Sequence, residues 1–122
     1  MEGQKGFKCV FHVDEPEKVS LALANVRNLL QYYENRGLDH RTEIVLNSRA
    51  VLALRQDAEN GPEAASVWKE LSGQGVVVAA CGNALKGLGV AAESLYPFVR
   101  VVPAGVAELV LRQAEGFAYI KP

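Results

Sequence analysis

The run Val76-Val77-Val78-Ala79-Ala80-Cys81 is the longest uninterrupted apolar stretch in the chain, and it stops at Gly82. Side chains of a strand point alternately to its two faces, so a run that is apolar at every position needs apolar surroundings on both. Parallel sheets covered by helices supply them. The run is also far shorter than the ~18 residues of a membrane span. An α/β fold is therefore expected, with Val76 to Cys81 as the middle strand of its sheet.

The rest of the chain supports that class. Phe7 to Val13 reads as a first strand, and Asp14-Glu15-Pro16-Glu17 opens a helix with Asp14 as its cap and Pro16 in the first turn. Val19, Ala22, Leu23, Val26, Leu29, Leu30 and Tyr33 recur at helical spacing on one stripe, and Gly37 supplies a left-handed stop. Thr42 to Asn47 reads as a second strand. Helical turns around Ala50, Val51 and Leu54 follow, then a break at Asn60-Gly61-Pro62 and a helix carrying Ala64, Val67, Trp68 and Leu71 inward. After the apolar run come a short helix, a fourth strand at Phe98 to Val102, a helix with Val106, Leu109, Val110 and Gln113 on one face, and a closing strand at Phe117 to Ile120.

This β-α-β-α-β-α-β-α-β succession fits one domain over residues 1–122. The expected architecture is a flavodoxin-like three-layer sandwich, a five-stranded parallel sheet of order 2-1-3-4-5 with helices on both faces. In such a sheet the site lies beyond the carboxyl ends of strands one and three, which brings His12, Asn47, Cys81, Asn83 and Lys86 toward one crevice.

Composition removes several function classes. Lys and Arg total 13 against 14 Asp and Glu, so no basic footprint for nucleic acid exists. The start MEGQKGFK lacks the apolar segment of a signal peptide, and a soluble, cytoplasmic protein without membrane attachment is expected. Two cysteines, Cys9 and Cys81, make no disulfide scaffold.

Motif tests narrow the chemistry further. Gly82, Gly87 and Gly89 match neither dinucleotide nor P-loop spacing, so no nucleotide cofactor is expected. Asp14-Glu15 and Lys121-Pro122 resemble receiver-domain features, but the third strand ends in Cys81 where a receiver needs its aspartate. A cysteine phosphatase would need arginine where Gly87 stands. Cys9 and His12, three apart on a strand, face opposite ways and cannot share a metal, and His40, read as a loop residue, has no second ligand near it in sequence. No metal is expected.

Cys81 is left as the candidate catalytic residue. It ends a strand, precedes Gly82, and stands before a helix read as capped by Asn83, where backbone N–H groups favour a thiolate. A helix N-terminus contributes only ~0.3 to 1 kcal/mol, so Lys86, His12 or a charge from a neighbouring subunit has to add to it. The structural alternative is a small apolar residue closing the core. Cys9, followed by Val10 and Phe11 inside a strand, reads as a packing thiol.

Four stretches carry a family resemblance: FKCVFHVDEPEKVSLALANVRNLL, TEIVLNSRAVLAL, GVVVAACGNALKGLGV and VRVVPAGVAELVLRQAEGFAYIKP. Together they resemble small single-domain members of the DsrE/DsrF-like (YchN-like) family. The resemblance implies a homo-oligomer, a trimer or a hexamer built from trimers, with the strand-end cysteine as active residue. In the sulfur-relay branch that cysteine carries a persulfide and passes sulfur between donor and acceptor proteins. Carried to this chain, the implied function is a sulfurtransferase-like sulfur acceptor or carrier using Cys81, with His12 and Asn47 lining the crevice. The alternative is a non-catalytic oligomeric protein that binds a small molecule or partner, Cys81 merely lining its pocket. The apolar run Leu95-Tyr96-Pro97-Phe98 is read as surface that an oligomer covers.

Overall fold

The computed structural model describes residues 6–58 and 61–122. The chain runs β1 (Phe7–Val13), a 3-10 turn (Pro16–Lys18), α1 (Val19–Asn35), β2 (His40–Leu46), a 3-10 segment (Ser48–Leu54), α2 (Gly61–Gly73), β3 (Val77–Cys81), α3 (Gly82–Leu88), a 3-10 turn (Ala92–Ser94), β4 (Arg100–Val102), α4 (Gly105–Ala114) and β5 (Ala118–Ile120). The break expected at Asn60-Gly61-Pro62 falls partly on Asn60, outside the described residues, and α2 opens at Gly61.

All five strands pair in parallel, as the α/β reading expects. Their order is β4-β3-β2-β1-β5, which corrects the expected 2-1-3-4-5. The first three crossovers all step one way across the sheet. Right-handed connections then put α1, the Ser48–Leu54 segment, α2 and α3 on one face. The last connection runs back across the whole sheet, so α4 lies on the other face and delivers β5 beside β1. The apolar run therefore forms β3, one strand from the edge, and the middle strand is β2.

Two cores flank the sheet. On the first face Cys9, Phe11, Val13, Ile44, Leu46, Val78 and Ala80 pack under Val26 and Leu30 of α1, Trp68 and Leu71 of α2, and Leu85 of α3. The α1 stripe is buried as its spacing predicts, Leu29 being only partly covered, and each fully buried aliphatic side chain stabilises by roughly 1.5–3 kcal/mol. The helix ends where Gly37 takes φ 62°, with the Leu38 N–H returning to the Tyr33 carbonyl at 3.0 Å. The second core is small: Val10, Val45, Ala79, Val102, Leu109 and Phe117.

Three local expectations are corrected. Asp14 caps no helix; Glu15 precedes the 3-10 turn, and Asp14 instead accepts from Lys121 Nζ at 2.8 Å. The α4 face turned to the sheet is Gly105, Glu108 and Leu109, while Val106 and Val110 point outward at 62% and 65% exposure. Much of the Leu95–Phe98 run is covered by the chain itself: Leu95 is buried, and Tyr96 and Phe98 are half-buried and stacked at 5.5 Å, with Pro97 exposed. No helix among the described residues is long and apolar enough to cross a membrane.

Candidate functional site at the carboxyl end of the sheet

Alternation along β1, β2 and β3 sends His12, Val45, Ala79 and Cys81 toward α4, and Cys9, Phe11, Ile44 and Val78 toward α1 and α2. The two cysteines thus belong to opposite faces. Both are free thiols. Cys9 is buried with Sγ 3.8 Å from the Thr42 hydroxyl, and burial pushes its thiol up despite that hydroxyl's opposing effect. That is the packing role expected of it.

Cys81 ends β3 and is itself the N-cap of α3, with its Sγ accepting the Ala84 N–H at 3.4 Å. The cap expected at Asn83 thus lies two residues earlier; Asn83 is the second helical residue and is exposed. Two glycines let the backbone close around the cysteine. A Cβ at Gly82 would stand 2.9 Å from the Val102 carbonyl, and one at Gly105 would stand 3.2 Å from Cys81 Cβ and 3.1 Å from Asn47 Cβ. The first turn of α4 therefore sits on Cys81, which is 7% exposed.

Asn47 follows the end of β2, between the β1 and β3 ends. Its Oδ1 is 3.0 Å from His12 Nε2, and the other His12 nitrogen, Nδ1, is 2.6 Å from the Tyr119 hydroxyl. A row Tyr119–His12–Asn47–Cys81 thus crosses the carboxyl end of four strands, with Gly105 over its Asn47–Cys81 end. Ser48, at φ 53°, makes the left-handed turn that ends β2 at this point. The expectation that β1 adjoins β3 is corrected here too: β2 intervenes, so His12 lies roughly 10 Å or more from Cys81.

Lys86 is not brought to this row. It occupies the last turn of α3 and is exposed. Tyr119 and Gly105 were not among the residues singled out for the site. Tyr119 becomes visible only once β5 is known to pair with β1, where Val10 faces Tyr119. Below the row, Lys121 and Asp14 tie the chain end to the β1 end, and their hydrogen bond holds the Asp14 carboxyl below its usual range and raises the Lys121 ammonium.

Three comparisons bear on this arrangement. The model of the DsrE/DsrF-like family matches residues 9–122. Among solved structures, a protein of unknown function, MTH1491, from Methanobacterium thermoautotrophicum is similar at 40% identity and a TM-score of 0.83, over 95% of this chain and 99% of its own. The ychN protein from E. coli shares the fold at 19% identity and a TM-score of 0.76, again over 95% of this chain and 99% of that one. No curated protein matches.

Proposed function

The chain belongs to the DsrE/DsrF-like family, a family associated in general with sulfur relay, and from that premise we propose that Cys81 is a sulfur acceptor and carrier. The observation that carries this reading is the position of its sulfur, at the end of β3 with a backbone N–H donated to Sγ. The N–H is aimed at the atom that, as a thiolate, is the nucleophile in sulfur transfer.

The chemistry is a sulfane transfer without net oxidation. The Cys81 thiolate attacks the terminal sulfur of a donor persulfide; the Cys81 S–S bond forms, the donor S–S bond breaks, and the donor leaves as thiolate while the proton stays on the transferred sulfur. Delivery to an acceptor thiolate is the reverse step. One cysteine suffices, in keeping with a Cys9 that faces the other core. The 7% exposure of Cys81 suits a slim persulfide terminus in place of a bulky one. His12 and Asn47 have the role of holding the neighbouring crevice wall through their mutual hydrogen bond.

The proposed unit is a homo-oligomer, a trimer or hexamer, using the outer side of α4. Val106, Val110 and Leu111 are 62%, 65% and 53% exposed there, an apolar strip that association would cover. Sedimentation at micromolar concentration should give an oligomer for the native chain and a monomer for Val110→Asp; a native monomer overturns the proposal.

Loading with inorganic polysulfide followed by intact-mass measurement tests the sulfur reading. The native chain should gain 32 Da increments (about one sulfur each), Cys9→Ser should gain them equally, and Cys81→Ser should gain none. Serine is itself a good N-cap, so Cys81→Ser keeps α3 in place. No addition to the native chain, or equal addition to Cys81→Ser, favours the second reading, a non-catalytic oligomer that binds a small molecule or partner, with Cys81 only lining its pocket.

A further inference from the structure

The opposite, amino end of the sheet holds a second polar site on the same α4 face. A cavity of about 150 Å³ is lined there by His40, Arg41, Glu43, Arg100, Arg112 and Phe117. His40, expected in a loop, opens β2, and its ring stacks on Tyr33 of α1 at 5.0 Å, on the other face of the sheet.

Two of the lining residues present on this face a buried polar atom without a hydrogen-bond partner among the described residues: Glu43 Oε2 and Arg112 Nε. Leaving such atoms unpaired costs roughly 1–3 kcal/mol each. Of these, the Arg112 N–H calls for an acceptor in the cavity. Glu43 is 3% exposed, and its carboxyl hydrogen-bonds that of Glu108 on α4. Arg112 Nε is 3.8 Å from Glu108 Oε2, beyond hydrogen-bond reach, while its Nη2 is 3.2 Å from Glu115 Oε2.

The charge around the cavity is unbalanced. Arg41 and Arg112 lie 5.4 and 5.8 Å from the Phe117 ring centre, and Lys8 lies 5.6 Å from it. Neither Arg41 nor Arg100 has a carboxylate at ion-pair distance among the described residues. Two guanidiniums are therefore uncommitted at the mouth of a cavity whose inner wall is a buried carboxyl. A liquid water occupies ~30 Å³, so the volume suits roughly five non-hydrogen atoms.

We propose that this cavity binds a small tetrahedral oxyanion of the sulfate or phosphate type, gripped by Arg41, Arg100 and Arg112 and contacted by Glu43. Guanidinium forks match such oxygens with paired N–H bonds. Glu43 takes part as a neutral acid: burial first, then the Glu108 carboxyl with which it shares its proton, pushes it up to about 8, so at neutral pH it adds no negative charge beside the anion. Its surroundings are Glu108 and Arg112 from α4, Arg100 from β4, and His40 and Arg41 on its own strand, with Lys8 and Glu115 near the Phe117 side.

Calorimetric titration with sodium sulfate and, separately, sodium phosphate at constant ionic strength tests the proposal. Saturable binding of one anion per chain is expected. Arg41→Gln and Arg100→Gln, both at exposed positions, should each weaken it about tenfold or more. Sulfate lacks a proton to give, so its affinity should fall as pH rises through the Glu43 transition, and Glu43→Gln should remove that dependence; phosphate, which carries its own proton, should fall less. Cys81→Ser should leave binding unchanged, which separates this site from the sulfur reading. Absence of saturable binding for both anions overturns the proposal, as does equal binding by the arginine variants or loss of binding in Cys81→Ser.

Discussion

The two faces of the sheet are built differently. The first is roofed by α1, the Ser48–Leu54 segment, α2 and α3, and the side chains it turns inward are almost all apolar. The second has α4 alone, a small core, and nearly every group with chemical potential: Cys81, His12 and Asn47 at the carboxyl end, and Glu43, Glu108, Arg100 and Arg112 at the amino end. Strand alternation makes this segregation possible, because one residue's step along β1 or β2 changes the face. Stability and chemistry can then be altered separately, which the following substitutions exploit.

The largest effect belongs to the roofed face. Trp68 of α2 is fully buried in the main core, and Trp68→Ala should cost about 3–5 kcal/mol. Urea unfolding measures it. Folded Trp68→Ala should still load polysulfide at Cys81 as the native chain does; loss of loading in the folded fraction would break the separation between faces.

The sequence shows the first face well and the second poorly, for a physical reason. The first face is written in apolar periodicity, so β1 from Phe7 to Val13 and the α1 stripe can be read directly. On the second face, the α4 positions turned inward include Glu108 and Arg112, so apolar spacing picks out Val106 and Val110 instead, which face outward. The middle strand, β2, carries Thr42 and Glu43 and looks less central than the wholly apolar β3. Strand order depends on where a return crossover lands, and no local pattern marks that β5 joins β1. With the order misread, Tyr119 could not be placed beside His12, whereas the position of Cys81 at a strand end followed from β3 alone.

An effect spread over several pH units tests the amino end of the second face. Glu43 holds its proton up to about pH 8, whereas the unfolded chain releases it near 4.5. Between those values the folded chain binds more protons than the unfolded one, so stability falls as pH rises, by up to about 1.4 kcal/mol per pH unit from this group. The loss is complete above the folded value and absent below the unfolded one. Glu43→Gln keeps the shape without the titration. Urea midpoints taken across that window should slope for the native chain and be flatter for Glu43→Gln; parallel slopes would mean that Glu43 is not the buried acid of this face.

The smallest effect tests the junction between faces. Ser48 sits where β2, which contributes to both cores, hands the chain to the 3-10 segment on the first face, and it does so at φ 53° with an exposed side chain. A left-handed backbone costs a non-glycine residue roughly 1–2 kcal/mol, and glycine avoids that while losing more entropy on folding, roughly 0.5–1 kcal/mol. Ser48→Gly should therefore stabilise the chain by no more than about 1 kcal/mol. The strain has a positional consequence, because Asn47 immediately before it donates its N–H to the Val13 carbonyl at 3.1 Å while its side chain meets His12. If the turn merely connects the faces, Ser48→Gly raises the urea midpoint slightly and leaves polysulfide loading untouched. A change in loading rate at unchanged or higher stability would show that the rigid turn at Ser48 positions the crevice wall beside Cys81, and that the two faces are coupled at this one residue.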